Sequence, residues 1–196
     1  MIKKIIIVLV FVLFLNSCFW KATKTEKKIE KNQKVSTKTD IKSKLLTIKW
    51  DWFFIKVPKS LVKVTNLPTP RVWKVVLALQ SKDMINWFIN NFIIIKQILK
   101  KPMTSSEFSI LNNVKAKTKY ENYKKILSKD LIFDDGIKSI LYIFEARYNS
   151  STAKQKFLQI WKICDKNKAY ILTIWLNKRI FNFDKYEMYL KSFKCN

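Results

Sequence analysis

Apolar and polar positions divide the chain into three stretches. Ile5 to Leu15 is an unbroken apolar run behind Lys3 and Lys4. Residues 19–44 are polar and rich in lysine, with too little apolar surface to order themselves. From Leu45 onward, short apolar runs return at regular intervals and predict a sheet-rich domain. Leu45 to Lys49 and Phe53 to Val57 read as two strands around a turn, the second ended by Pro58. Residues 66–70, with Pro68 and Pro70, read as a loop. Val75 to Leu79 and Phe92 to Leu99 read as a third and fourth strand.

Thr104-Ser105-Ser106-Glu107 has the spacing of a capping box, with Thr104 as N-cap and Glu107 reaching back to it. Behind it, Phe108, Leu111 and Val114 fall at helical spacing and predict a core-facing stripe. The second half reads as an antiparallel meander. Lys124 to Phe133 and Ile137 to Tyr148 are strands joined at Asp134-Asp135-Gly136, a tight-turn sequence. In the second of them Ile140, Tyr142, Phe144, Ala146 and Tyr148 alternate onto one face. Lys156 to Cys164 and Ala169 to Trp175 pair around Asp165-Lys166-Asn167. A closing helix from about Phe183 to Phe193 keeps Phe183, Tyr186, Tyr189, Leu190 and Phe193 at helical spacing.

The leading apolar run is too short for a transmembrane helix, which needs roughly 20 residues, and fits a secretory h-region of about 7–15. It ends in Leu15-Asn16-Ser17-Cys18, which resembles the lipobox of bacterial lipoproteins. That resemblance implies a signal peptide over residues 1–17, cleavage before Cys18, lipid on Cys18, and an extracytoplasmic protein anchored in the cell membrane. Acyl chains add about 0.8 kcal/mol per buried CH₂, so two or three of them hold a protein almost irreversibly. Residues 18–44 then form the lipidated end and a flexible basic tether, and residues 45–196 the domain.

Charge points the same way. There are 39 Lys+Arg against 14 Asp+Glu, a net charge of +25. Arginine stands only at Arg71, Arg147 and Arg179. Without arginine forks, specific nucleic-acid recognition is not expected; anionic lipid head groups next to the tether are the expected counter-surface. The lysine, isoleucine and asparagine content also fits an AT-rich genome.

The chain has no histidine, which removes Ser-His-Asp and Cys-His catalysis and most zinc sites. No phosphate loop, Cys-x-x-Cys or dinucleotide fingerprint is present, and no cofactor or metal is expected. Asp134 and Asp135 read as turn chemistry, and Glu145 with Arg147 as an ion pair opposite the apolar face of their strand. Beyond Cys18, Cys164 and Cys195 remain. A disulfide between them would close a loop of about 30 residues, worth ~3 kcal/mol; two free thiols are the alternative.

Gly136 is the only glycine, whereas tryptophan occurs seven times. Average usage predicts roughly 14 glycines in such a chain. Trp50-Asp51-Trp52 stands where Asp-Gly would form a hairpin, and Trp161 interrupts a strand where glycine would mark a bulge. The pattern is that of a gene whose UGA codons mean glycine, translated as tryptophan. A Trp-rich chain with an aromatic binding face is the alternative.

The order of elements resembles the PsbP-like family, an antiparallel sheet with helices packed on both sides. The family includes a subunit of the photosynthetic oxygen-evolving complex, a Ran-binding nuclear import factor and bacterial lipoproteins. The likeness runs from Leu45 to Lys194. It is carried by Phe53-Phe54-Ile55-Lys56-Val57-Pro58 as opening strand, Glu107 to Asn112 as helix, Tyr142 to Tyr148 as long central strand, Ala169 to Thr173 as penultimate strand, and Ser192-Phe193 as the end of the last helix. Leu61 and Val62 stand where the family usually has tryptophan. The resemblance implies an α+β domain, an α/β/α sandwich, with no shared catalytic site. It points to a non-enzymatic protein that assists an envelope complex or binds a partner. A surface protein binding anionic lipid or a small ligand, and an enzyme of unknown type, are the alternatives.

Overall fold

A computed structural model describes residues 44–50, 52–65, 74–82, 84, 89–165 and 167–196. All of them belong to one compact unit, Thr37–Asn196. The expected signal peptide, Cys18, the basic segment to residue 43, the loop expected at residues 66–70, and Trp20, Trp73 and Trp87 lie outside the described residues.

The fold is α+β, with two antiparallel sheets and two helices among the described residues. The strands are β1 (Leu45–Trp50), β2 (Phe53–Pro58), β3 (Leu61–Lys63), β4 (Lys74–Ser81) and β5 (Asn91–Ile98), then helix α1 (Ser105–Lys119). After it come β6 (Glu121–Ile132), β7 (Lys138–Arg147), β8 (Gln155–Cys164), β9 (Lys168–Leu176), helix α2 (Asp184–Lys191) and β10 (Lys194–Cys195). A seven-stranded sheet runs β3-β4-β5-β9-β8-β7-β6, and a three-stranded one β1-β2-β10. The short strands β3 and β10 had no sequence signal, because too few residues alternate to show a period of two.

Both faces of the large sheet are buried at its centre, so β8 and β9 read as nearly continuous apolar runs. Alternate residues divide between two cores. Leu141 and Ile143 of β7, Leu158 and Ile160 of β8, and Leu172 and Ile174 of β9 meet Phe53, Ile55 and Val57 of β2 and Leu190 of α2. Tyr142, Phe144 and Ala146, with Phe157 and Trp161, form the second core with Phe108 and Ala116 of α1. The β7 alternation expected from the sequence is therefore present. The closing helix also packs as expected: Tyr186, Leu190 and Phe193 are buried in the first core and Phe183 and Tyr189 pack against it.

The β6–β7 turn shows why the lone glycine stands where it does. Gly136 N–H donates to Phe133 O at 2.9 Å, and Gly136 has φ +85°. Space is not the constraint, since an added Cβ would meet nothing within 4 Å. The left-handed backbone is. In the β8–β9 turn the same region is taken by Asp165, with φ 64°; aspartate tolerates it better than most residues.

Helix α1 departs from expectation. Its capping box is formed: Glu107 N–H donates to Thr104 Oγ1, and Thr104 N–H to Glu107 Oε2 at 2.7 Å. Phe108 is buried, but Leu111 and Val114 are not. The buried stripe is Ser105, Phe108, Ser109, Asn112, Asn113 and Ala116. Leu111 and Val114 are 51% and 56% exposed. Small and polar residues bring the helix close to a sheet face already filled by Tyr142, Phe144 and Trp161, where Ser105, Ser109 and Asn113 find hydrogen-bond partners. Helical spacing alone could not distinguish the two stripes.

Candidate functional site

The strongest concentration of buried polar chemistry lies where β7 and β8 part. Their pairing runs from Ala146↔Gln155 to Tyr142↔Gln159 and ends there. Beyond it β7 continues with β6 alone, and β8 with β9 alone. Backbone groups freed at such an opening need partners, and helix α1 supplies them.

On the α1 face the partners are serines. Ser105 Oγ accepts from Ile163 N–H at 2.9 Å, and Ser109 Oγ–H donates to Ile140 O at 2.6 Å. Ser139 Oγ–H donates to Ser105 O at 3.3 Å. A leucine at either helix position would leave a sheet backbone group unsatisfied, which explains the helix's choice of buried face.

On the opposite face β8 carries a lysine, whose partners are a turn carboxylate and the Phe193 carbonyl rather than the freed strand groups. Lys162 shares the inward side of β8 with Leu158 and Ile160, and its side chain has 0% exposure. Its ammonium group donates to Asp135 Oδ2 and, at 2.9 Å, to Phe193 O, and lies 4.3 Å from the Phe133 ring centroid. Burial pushes its pKa below the usual lysine value, and the hydrogen bond and charge of Asp135 oppose that shift. Turn residue Asp135 is therefore also the counter-ion of a buried charge. The sequence signal was present, a lone lysine inside the apolar run of β8, but its partner lies 27 positions away.

Lys156 lies at the other end of β8 on the same face. It donates to Ile180 O at 2.8 Å, stands 4.0 Å from Glu145, and lies 3.6 Å from the Phe181 ring centroid. Glu145 also meets Lys154 at 3.3 Å, so the cations that neutralise it come from beyond its own strand rather than from Arg147.

Cys164, two residues beyond Lys162, is joined by a disulfide to Cys195, with Cα atoms 5.7 Å apart. As a disulfide sulfur it offers no thiolate. The bond ties β8 to β10, which pairs with β2. Asn196 extends the tie by donating to Trp52 O at 3.1 Å and, through its side chain, to Trp50 O at 2.8 Å.

Two surface grooves flank this framework. One, of about 800 Å³, runs between the β1–β2 hairpin and α2 and carries Lys56, Asp134, Asp184, Glu187 and Lys191. Glu187 is engaged there by Lys129 at 2.7 Å. The other, of about 460 Å³, is basic and is edged by Lys100, Lys101 and Lys168. Among the described residues no group of three or more Cys, Asp or Glu is placed to hold a metal ion.

Of the described tryptophans, Trp50 and Trp175 pack against aromatic neighbours, Phe53 and Phe157, at centroid distances of 6.5 and 5.3 Å. Trp161 is 1% exposed, and its Nε1–H has no partner among the described residues. No family model matches the chain, and no curated protein matches it significantly. No helix among the described residues is long and apolar enough to cross a membrane.

Proposed function

We propose that the chain is a lipoprotein held at the extracytoplasmic face of the cell membrane through Cys18. Its domain is PsbP-like and acts without catalysis, by assisting the assembly or stability of an envelope complex or by binding a partner there. The observation that carries the anchoring is Leu15-Asn16-Ser17-Cys18 directly behind a short apolar run. The disulfide between Cys164 and Cys195 supports an oxidising compartment.

The α/β/α sandwich of PsbP-like type is supported by the seven-stranded antiparallel sheet, with α1 in the core on one face and α2 in the core on the other. The segments that carry the resemblance fall on elements of the expected kind: Phe53–Pro58 is β2, residues 142–147 lie in β7 and residues 169–173 in β9. A non-catalytic role is supported by the state of the reactive side chains. The buried lysines are committed to carbonyl and carboxylate partners, and Cys164 to a disulfide.

Mass spectrometry of the chain from native membranes tests the anchor. The expected N-terminal residue is Cys18 carrying a diacylglyceryl group; a native chain with unmodified Cys18 overturns it. Crosslinking in native membrane followed by capture identifies the envelope partner, and a chain that crosslinks to no envelope protein counts against the assembly role.

The same measurement reads the tryptophans, which we propose are glycines in the native protein. Trp52 falls in the two-residue connection between Trp50 and Phe53, where Asp-Gly is the favoured pair. Trp161 leaves an indole N–H unpaired in a core. Peptides with tryptophan mass at these positions, or UGG codons, overturn the proposal.

A further inference from the structure

We infer that the outer face of α1 is a docking surface for an anionic lipid bilayer. The inference takes its setting from the membrane-anchored reading above and its surface from the structure. At 3.6 residues per turn, Ile110, Val114 and Leu111 cover an arc of about 100° on the side of α1 turned away from the sheet. They are 49%, 56% and 51% exposed. Lys117 lies at one edge of the arc and Lys115 at the other, both exposed, and Lys119 follows in the last turn. Lys100 and Lys101, also exposed, precede the helix. Glu107, the one acid of the helix, lies in the first turn of the same arc and is exposed, its carboxylate accepting from Thr104 in the capping box.

An apolar stripe edged by lysines is the pattern of a helix lying in a membrane interface. The aliphatic side chains enter the acyl boundary, and the lysine stems carry their ammonium groups outward to anionic head groups. Charge decides among the occupants. A second copy would bring a like-charged stripe from a chain of net charge +25 against this one. Neither of the two grooves described above, among the described residues, offers a protein partner a recess lined by α1. A fluid lipid surface needs none. Lysine in place of arginine favours point-charge attraction over forked recognition of single phosphates. The helix can spare these residues for a bilayer because Phe108, Ala116 and its buried serines make its contacts with the sheet.

The test is hydroxyl-radical footprinting of the full chain on phosphatidylcholine vesicles, with and without phosphatidylglycerol. Oxidation of Ile110, Leu111 and Val114 is expected to fall several-fold on the anionic vesicles only, and to recover as salt is raised. In the Leu111→Asp, Val114→Asp double variant the protection of Ile110 is expected to vanish, while Phe157 and Tyr170, buried in the two cores, stay unoxidised and report an intact fold. The inference is overturned by unchanged oxidation on anionic vesicles or by equal protection on neutral ones. It is equally overturned by protection that appears without lipid as the protein is concentrated, or only with an acidic protein present. The lipid state of Cys18 is read separately. An unlipidated chain that protects α1 keeps this inference and sinks the anchored reading; a lipidated chain with α1 unprotected does the reverse.

Discussion

Lys162 reaches from β8 to Asp135 in the β6–β7 turn, across the opening that forms where β7 and β8 cease to pair. The lysine side chain is fully buried, whereas the aspartate is 25% exposed. One end of the pair is therefore committed to the fold and the other opens towards water. Such a pair is costly to break and less costly to replace.

Asp135→Asn is accordingly expected to destabilise the domain by about 3–5 kcal/mol, because it strands a buried ammonium group. Adding Lys162→Met to that variant should restore most of the loss. Urea unfolding of the single and double variants measures both. A double variant no more stable than Asp135→Asn would show that the charge is not the source of the cost.

Ser105→Ala removes the acceptor of the Ile163 N–H. The expected loss is about 1–3 kcal/mol, the penalty of an unsatisfied buried donor. Hydrogen exchange should quicken at the Ile163 amide, with the rest of β8 less affected. An unchanged exchange rate there would show that the serine does not close the opening.

The sequence exposed part of this arrangement. The strands from Glu121 to Leu176 were legible because β7 alternates, β8 and β9 are apolar runs of strand length, and their turns carry Asp, Asn and the one glycine. The capping box was legible because it is local. The face of α1 was not, because two interleaved stripes both have helical spacing, and the choice depends on backbone groups of β7 and β8. The pairing of Lys162 with Asp135 is equally non-local.

Reducing the disulfide removes a constraint on the unfolded chain across a separation of 31 residues. The expected loss is about 3–4 kcal/mol on the chain-entropy account. Cys195→Ser should reproduce it, and β10 should then fray from β2, read as faster exchange at Asn196, whose N–H meets Trp52 O. Equal stability of the oxidised and reduced protein would refute this.

Alkaline stability should have two phases of opposite sign. Burial lowers the Lys156 and Lys162 pKa values from 10.5. Just below that value the unfolded chain holds more protons than the folded one, so stability rises with pH. Burial raises Tyr120 and Tyr123 to about 12 from 10.0. Between those values the folded state holds the extra protons, and stability falls as pH rises. For Tyr120, which is buried, the loss should approach roughly 2–3 kcal/mol; Tyr123, only partly buried, should contribute less. Tyr120→Phe should remove its share, read as a higher pH midpoint of alkaline unfolding. Titration by ultraviolet absorbance should show Tyr120 and Tyr123 among the last to ionise, with Tyr142, Tyr170, Tyr186 and Tyr189 also raised by burial.

By itself, the sequence determined the strand-rich character of residues 45–196, the turn at Gly136, the start of α1 and the closing helix, because each is written in neighbouring residues. The apolar run of Ile5 to Leu15, Cys18 behind it and the lysine excess are likewise read without a fold. Only the tertiary structure decided which face of α1 enters the core, which carboxylate neutralises Lys162, and that Cys164 reaches Cys195. These depend on where β7 and β8 part, an event set by the packing of the whole sheet and of both cores against it. Because that packing drew serines and asparagines inward, it left Ile110, Leu111 and Val114 facing outward.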